Sequence, residues 1–117
     1  MLSEIISANI NAPVIVIFGG SPIRREEVLK LIESIEIEIT AYGVLSEEEG
    51  LEMLQTLPHV NLVLIGGRYT TDQRFRIKNF LIKLMPKALI TEPGWDYPYN
   101  NDNIKEDVIK KLAATKL

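Results

Sequence analysis

The stretch from residue 14 to residue 22 reads Val14-Ile15-Val16-Ile17-Phe18-Gly19-Gly20-Ser21-Pro22. A continuous run of apolar, mostly β-branched residues is typical of a strand that is buried on both faces of a parallel sheet. The two glycines end this strand, Ser21 is a suitable N-cap, and Pro22 suits the first position of a helix. The order strand, glycine turn, helix predicts an α/β fold.

The same pattern recurs further along the chain. Leu62-Val63-Leu64-Ile65 is a second buried strand, and it also ends in two glycines, Gly66-Gly67. Residues 36–42 alternate polar and apolar side chains, which predicts a strand at the sheet edge, and residues 87–91 predict a short fourth strand. Helical patterns follow all four strands, with capping signals at Ser46-x-x-Glu49 and Thr70-x-x-Gln73, and with Asn103 as the expected N-cap of the last helix.

Four repeats of strand and helix with short connections predict a three-layer, open, mainly parallel sheet of the flavodoxin-like kind. With the predicted strands numbered along the chain, the expected order is 2-1-3-4. A fifth strand is left open, in the loop before Asn101. The 117 residues fit a single domain, 1–117, in which residues 1–12 form an N-terminal extension.

Composition narrows the classes of protein. The chain has no Cys, which excludes disulfides and thiolate chemistry and favours a reducing, cytoplasmic location. No apolar run approaches the roughly 20 residues that span a bilayer, so no membrane association is expected. Residues 1–13 carry Glu4 where a secretory signal would carry basic residues.

The segment from Ile39 to Gly67 resembles the middle of a response-regulator receiver domain, with an edge strand, a helix opened by Ser46, and a buried strand. This resemblance implies a flavodoxin-like fold and a signalling role. Receivers place Mg²⁺-binding acids at the end of their first strand, where this chain has Phe18-Gly19-Gly20. They place the phospho-accepting Asp at the end of the third strand, where this chain has Gly66-Gly67. The resemblance therefore implies a degenerate receiver that is not phosphorylated on Asp, with Thr91 where the family carries Ser or Thr.

The two glycine-ended strands predict a candidate binding site. In an open parallel sheet, ligands bind beyond the carboxyl ends of the strands, at the point where the strand order reverses, here between the first and third predicted strands. Backbone N–H groups, helix N-termini and nearby arginines would suit a phosphate or a similar anion. The expected residues are Gly19, Gly20, Ser21, Arg24, Gly66, Gly67, Arg68, Thr70, Thr91 and Trp95. The alternative is that the paired glycines are tight turns and that Trp95 covers the core.

Charge is unevenly distributed along the chain. Up to Gly67 the sequence has ten acidic and three basic residues, a net charge of −7. From Arg68 onward it has ten basic and six acidic residues, a net charge of +4, so the whole chain carries −3. This asymmetry predicts a homo-oligomer or another protein partner, unless the charges only solvate helix faces. Nucleic acid is not favoured, because the chain is acidic overall and lacks interleaved aromatic residues.

No catalytic residue, metal ligand or cofactor is indicated. The sole histidine, His59, lies in a turn at the end of the sheet opposite the candidate site, and no nucleophile is paired with a base. Two functions remain. The first is a non-enzymatic regulatory or protein-interaction module. The alternative is a small-molecule binding protein or enzyme that uses the Gly19-Gly20 and Gly66-Gly67 loops to hold an anion.

Overall fold

The structure is a computed structural model that describes residues 3–93 and 100–114. Helices and strands alternate along these residues after a short N-terminal strand. In chain order the elements are β1 (Glu4–Ile5), β2 (Val14–Phe18), α1 (Pro22–Glu33), β3 (Thr40–Val44), α2 (Glu47–Thr56), β4 (Leu62–Ile65), α3 (Thr71–Leu84), β5 (Leu89–Thr91) and α4 (Asn101–Ala114).

The strands form one mixed sheet in the order β1-β3-β2-β4-β5. The β3–β2, β2–β4 and β4–β5 pairs are parallel, whereas β1 is antiparallel to β3. The mainly parallel α/β architecture is confirmed. The predicted set of four strands in the order 2-1-3-4 is wrong as a description of the whole sheet, because it lacks β1 at the edge, although the parallel neighbours are those it named.

The N-terminal extension is therefore part of the sheet. Glu4 pairs with Tyr42, and the N–H of Gly43 donates to the carbonyl of Ser3 at 2.8 Å. Ile5 packs against the core between the sheet and α1. A strand of two residues is too short to show alternation, which is why the sequence pattern did not reveal it.

The position of β3 also differs from the prediction. It covers Thr40–Val44 rather than residues 36–42, and β1 covers the side on which it was expected to be an edge. The polar and apolar alternation of residues 36–39 belongs to the connection after α1, in which Ile37 is exposed and Ile39 is buried. The alternation of polar and apolar residues alone did not distinguish a strand from a connection in which one side chain, that of Ile39, is buried in the core.

The core has two parts, one on each face of the sheet. Ile15 and Ile17 of β2 face α1 and α4, where Leu29, Ile32, Ile104, Val108 and Leu112 are buried. Val16 and Phe18 face α2 and α3, where Leu54, Ile77 and Leu81 are buried. Successive residues of one strand thus fill opposite layers, as expected of a sheet covered by helices on both sides.

Side-chain caps fix where the helices begin. The Oγ of Ser21 accepts from the N–H of Arg24, and the Thr70–Gln73 pair forms a complete capping box. The predicted N-cap of α4 is wrong, since the helix begins at Asn101 and the Oδ1 of Asn100 accepts from the N–H of Asn103 at 2.9 Å. Three of the residues from 100 to 103 are Asn, so composition could not choose the cap.

The longest helices, α3 and α4, have 14 residues each. A helix needs about 20 apolar residues to cross a bilayer. Within residues 3–93 and 100–114, no helix has the length and apolar character of a membrane span.

Candidate functional site

A cleft of about 520 Å³ opens beyond the carboxyl ends of β2 and β4. The chain leaves β2 toward β3 on one side and later adds β4 on the other, so the strand order reverses between these two strands. The cleft lies on the side of the sheet that α1 and α4 cover. Its lining comprises Ile17, Phe18, Gly19, Gly20, Ser21, Ile23, Arg24, Glu27, Val28, Leu64, Gly66, Gly67, Arg68 and Ile104.

Most of the residues expected at the candidate site line this cleft, namely Gly19, Gly20, Ser21, Arg24, Gly66, Gly67 and Arg68. Thr70 does not line it, and its hydroxyl accepts from the N–H of Gln73 as the cap of α3. Thr91 does not line it either, and it is buried at the end of β5. Trp95 lies outside the described residues.

The two glycines of each turn differ in what their N–H groups do. The N–H of Gly19 donates to the carbonyl of Val44, and the N–H of Gly66 donates to the carbonyl of Phe18, both at 2.9 Å. In the part of the chain that the structure describes, the N–H groups of the next two residues in each turn, Gly20-Ser21 and Gly67-Arg68, make no hydrogen bond. Only this second half of each turn offers donors to a ligand.

No described residue has a positive φ angle, so a left-handed backbone conformation does not explain the glycines of these turns. Close approach of neighbouring atoms explains two of them. A Cβ at Gly20 would stand 2.7 Å from Cδ of Arg68, which packs over it. A Cβ at Gly66 would stand 3.0 Å from the carbonyl oxygen of Phe18. The tight-turn explanation is therefore physically sound for Gly66, whereas Gly20 makes room for a charged side chain of the other turn.

Arg24 connects the two helices at the rim of the cleft. Its Nη1 donates to Glu27 Oε2 at 3.0 Å and to the Oδ1 of Asn101 at 2.7 Å. Asn101 is the first residue of α4, so Arg24 ties α1 to α4. Arg24 was expected as a ligand for an anion, but much of its charge is already balanced by Glu27.

Of the two arginines that line the cleft, Arg68 has the fewer contacts that balance its charge. It is exposed, and it makes no ion pair or side-chain hydrogen bond with residues 3–93 or 100–114. Of the residues that the structure describes, the charged ones lining the cleft are Arg24, Glu27 and Arg68, an excess of one positive charge. With few competing partners, the guanidinium of Arg68 can turn toward an anion at little cost in lost contacts.

Polar contacts from Tyr69 and Arg74 hold the carbonyl sides of both turns. The hydroxyl of Tyr69 donates to the carbonyl of Gly19 at 3.1 Å, and Nη2 of Arg74 donates to the carbonyl of Gly66 at 2.7 Å. Glu92 pairs with Arg74 at 3.2 Å and with Lys78 at 2.6 Å. Burial, together with the nearby carboxylates of α2, raises the pKa of Tyr69 to about 12.

Sequence reasoning missed Glu27, Tyr69 and the pairing of Arg74 with Glu92. Glu27 could have been found, because it lies three residues after Arg24 on the helix that leaves the first glycine turn. The contact from Tyr69 to Gly19 joins residues 50 apart in the chain, and no local pattern reveals such a pair.

In comparisons with known proteins, no family model, curated protein or solved structure matches the chain. The likeness to receiver domains therefore stays an expectation. Among the described residues, no group of three or more Asp, Glu, His or Cys side chains is placed to hold a metal ion.

Proposed function

We propose that the protein binds a small organic molecule that carries an anionic group, and that this group lies between the Gly20-Ser21 and Gly67-Arg68 turns. The observation that carries the proposal is that Gly20, Ser21, Gly67 and the exposed Arg68 line one cleft, and that their backbone N–H groups make no hydrogen bond within the described residues. N–H groups that are held by rigid elements bind anions without reorganising the protein.

The size and surface of the cleft favour an organic body attached to the anion. About 520 Å³ lies within the range of roughly 300–1,000 Å³ that is typical of small-molecule sites. Ile23 contributes exposed apolar surface beside the polar turns, and Val28, Leu64 and Ile104 lie buried beneath it. An inorganic anion would leave this apolar surface in contact with water, whereas an organic ligand would cover it.

The lining favours binding over catalysis. Among the described lining residues Ser21 is the one with a hydroxyl, and its Oγ already accepts from the N–H of Arg24 as a helix cap. No lining residue is a histidine or cysteine, and the carboxylate of Glu27 is paired with Arg24. A nucleophile activated by a base is not assembled here. The proposal is therefore a ligand-binding or ligand-sensing protein.

Native mass spectrometry of protein freshly purified from its source tests this proposal first, followed by titration with pyrophosphate and with nucleotides. We expect a retained ligand or a dissociation constant below the millimolar range. Arg68→Ala should weaken binding about tenfold, in line with a charge-assisted hydrogen bond at a partly exposed site. If nothing binds below the millimolar range, the proposal is wrong.

Lys87→Ala is the matched control. Lys87 is exposed and precedes β5, which runs parallel to β4, so it lies at the opposite end of the sheet from the cleft. At about 3.3 Å per residue the separation is roughly 15 Å, beyond the screening length of about 8–10 Å in ordinary buffers. Equal losses in both variants would indicate general charge attraction rather than a site.

Two exposed apolar patches favour a second candidate function, a regulatory module that associates with itself. Acidic residues surround one patch, and a basic residue lies beside the other. The acidic patch comprises Ile6, Ile10 and Ile37, which are 62%, 89% and 40% exposed, with Glu33, Glu36 and Glu38 beside them. The basic patch comprises Phe75 and Ile82 on α3, 68% and 63% exposed, with Lys83 beside them. Exposed apolar residues within charged surroundings are typical of protein contacts.

The two patches border opposite faces of the sheet, since Ile37 lies beside the α1 layer and α3 covers the other side. A contact between them would join one copy to the next head to tail. Sedimentation velocity at low salt should then show size increasing with protein concentration, and Ile82→Ser should reduce it while Ile109→Ser on α4 should not. A single monomeric species at all concentrations would exclude this function. Arg76 is paired with Glu47 of the same chain, so these two charges contribute little to a contact between copies.

A further inference from the structure

The cleft changes in polarity along α1. Ser21, Arg24 and Glu27 follow one another at intervals of three residues, and all three line the cleft. At 1.5 Å per residue, Glu27 lies about 9 Å along the helix from Ser21. One end of the cleft therefore offers N–H groups and Arg68, and the other offers a carboxylate.

Glu27 can accept hydrogen bonds from a ligand although it is paired. Its Oε2 accepts from Arg24 at 3.0 Å, and its side chain is 50% exposed. A carboxylate has about four acceptor positions, so one ion pair leaves capacity for hydroxyl donors. Within the described part of the chain, Oε1 of Glu27 makes no hydrogen bond.

Apolar side chains lie between these two ends. Ile104 of α4 and Val28 of α1 contribute to the floor, and Ile23 stands at the side with 66% of its surface exposed. Ile23 follows Ser21 by two residues and precedes Glu27 by four, so it is near both polar ends. Val28 and Ile104 are already buried, whereas a flat apolar group that lies on Ile23 would remove its exposed surface from water.

We propose that the ligand is a nucleoside monophosphate, an inference that rests on the proposed function of the cleft. The phosphate accepts from the N–H groups of Gly20, Ser21 and Gly67 and from Arg68. The ribose hydroxyls donate to the carboxylate of Glu27, and the base covers the exposed side chain of Ile23. The three parts of the ligand meet a cationic, an acceptor and an apolar part of the same cleft.

Other anionic ligands fit these residues less well. A sugar phosphate has no flat apolar face for the exposed side chain of Ile23. A nucleoside triphosphate brings further negative charges, and in the described lining only Arg68 is a cation without an ion pair. A fatty acid or another acidic lipid has no hydroxyl to donate to Glu27. One phosphate, hydroxyls and a ring together match the lining.

The test removes the ribose hydroxyls from the ligand and the carboxylate of Glu27 from the protein, and compares the resulting affinities. The binding of AMP, GMP, CMP and UMP to the folded protein is measured by calorimetry, together with the 2′,3′-dideoxy form of the tightest of them. We expect the dideoxy form to bind wild-type protein about tenfold more weakly, because a hydrogen bond to a charged group is lost. In Glu27→Gln the two forms should differ by no more than about twofold. Equal affinities of the two forms for wild-type protein would overturn the inference.

Glu26→Gln is the matched control for this experiment. Glu26 is the neighbouring residue on α1, it pairs with Lys30 at 3.6 Å, and it does not line the cleft. This variant should keep the full tenfold preference for the ribose hydroxyls. A loss of preference in both variants would show that the charge of α1, not a contact with Glu27, is responsible, and would also overturn the inference.

Pyrophosphate distinguishes failure of this inference from failure of the proposed function. If pyrophosphate binds in an Arg68-dependent manner as tightly as every nucleoside monophosphate, the cleft is an anion site and the nucleoside inference is wrong. If neither pyrophosphate nor any nucleotide binds below the millimolar range, both are wrong.

Discussion

The side chain of Arg68 lies across the backbone of Gly20, so that a Cβ added at Gly20 would stand 2.7 Å from Arg68 Cδ and 3.0 Å from its Cβ. Gly20 belongs to the turn after β2 and Arg68 to the turn after β4. The contact therefore couples the two turns that frame the cleft. Only glycine lets the arginine approach this closely, which gives Gly20 a role that turn geometry alone would not require.

Gly20→Ala is expected to displace Arg68 without unfolding the protein. Arg68 is exposed and its side chain is flexible, so a change of rotamer relieves the contact with Cδ. The contact with its Cβ needs a small shift of the turn, so the free energy of unfolding should fall by no more than about 1 kcal/mol. Pyrophosphate affinity should fall about tenfold, as in Arg68→Ala. In the Arg68→Ala background, the same glycine substitution should have little further effect, and equal losses in both backgrounds would contradict the coupling.

Gly50→Ala is expected to destabilise the protein even though alanine favours helix. A Cβ at Gly50 would overlap the ring of Phe18, which is fully buried and meets Tyr69 edge to face at 5.9 Å. Overpacking costs about 1–3 kcal/mol, whereas the gain in helix propensity is about 1 kcal/mol. Urea denaturation should show a net loss of about 1 kcal/mol.

Gly67→Ala is the comparison for this stability measurement, since a Cβ there would meet nothing within 4 Å. It should leave the urea midpoint nearly unchanged. An increase in stability for Gly50→Ala would mean that the ring of Phe18 has room to move, contrary to its full burial.

Tyr69 is expected to make stability depend on pH in the alkaline range. Its folded pKa is raised to about 12, above an ordinary value of 10, first by burial and then by Glu49 and Glu47. The folded state therefore favours the neutral phenol, so this stabilisation is complete below pH 10 and is lost as pH rises from 10 to 12. The loss should be about 1–2 kcal/mol.

Tyr69→Phe removes this titration together with the hydrogen bond to the carbonyl of Gly19. At pH 7 the variant should be about 1 kcal/mol less stable than wild type. The gap between them in urea denaturation should shrink between pH 10 and 12. A gap that stays constant with pH would show that the phenol titrates normally in the folded protein.

The buried strands and the N-caps of α1, α2 and α3 were predictable because their signals are local. Val14–Phe18 and Leu62–Ile65 are continuous apolar runs, and they are the two central strands of the sheet. Ser21 and Thr70 bond within three residues, so the sequence contains both partners. The position of the cleft followed from the strand order, and most of the expected lining residues lie there.

The remaining features depend on contacts between distant residues. β1 is defined by its pairing with β3 rather than by its own two residues, and its presence makes β3 an interior strand. The sequence also could not show that the N–H groups of Gly19 and Gly66 are already used, since their acceptors come from neighbouring strands. The glycine pairs predicted an anion site, but the structure divides each pair into one structural and one available N–H group.

The most direct test of the central claim is a nitrogen–proton NMR titration of the labelled protein with pyrophosphate and with the tightest nucleoside monophosphate. The amide signals of Gly20, Ser21, Gly67 and Arg68 should shift most on saturation. Those of Gly19 and Gly66, which donate to Val44 and Phe18, should shift less. Saturation with no shift at the first four amides, or with the largest shifts on α3, would contradict an anion site in this cleft.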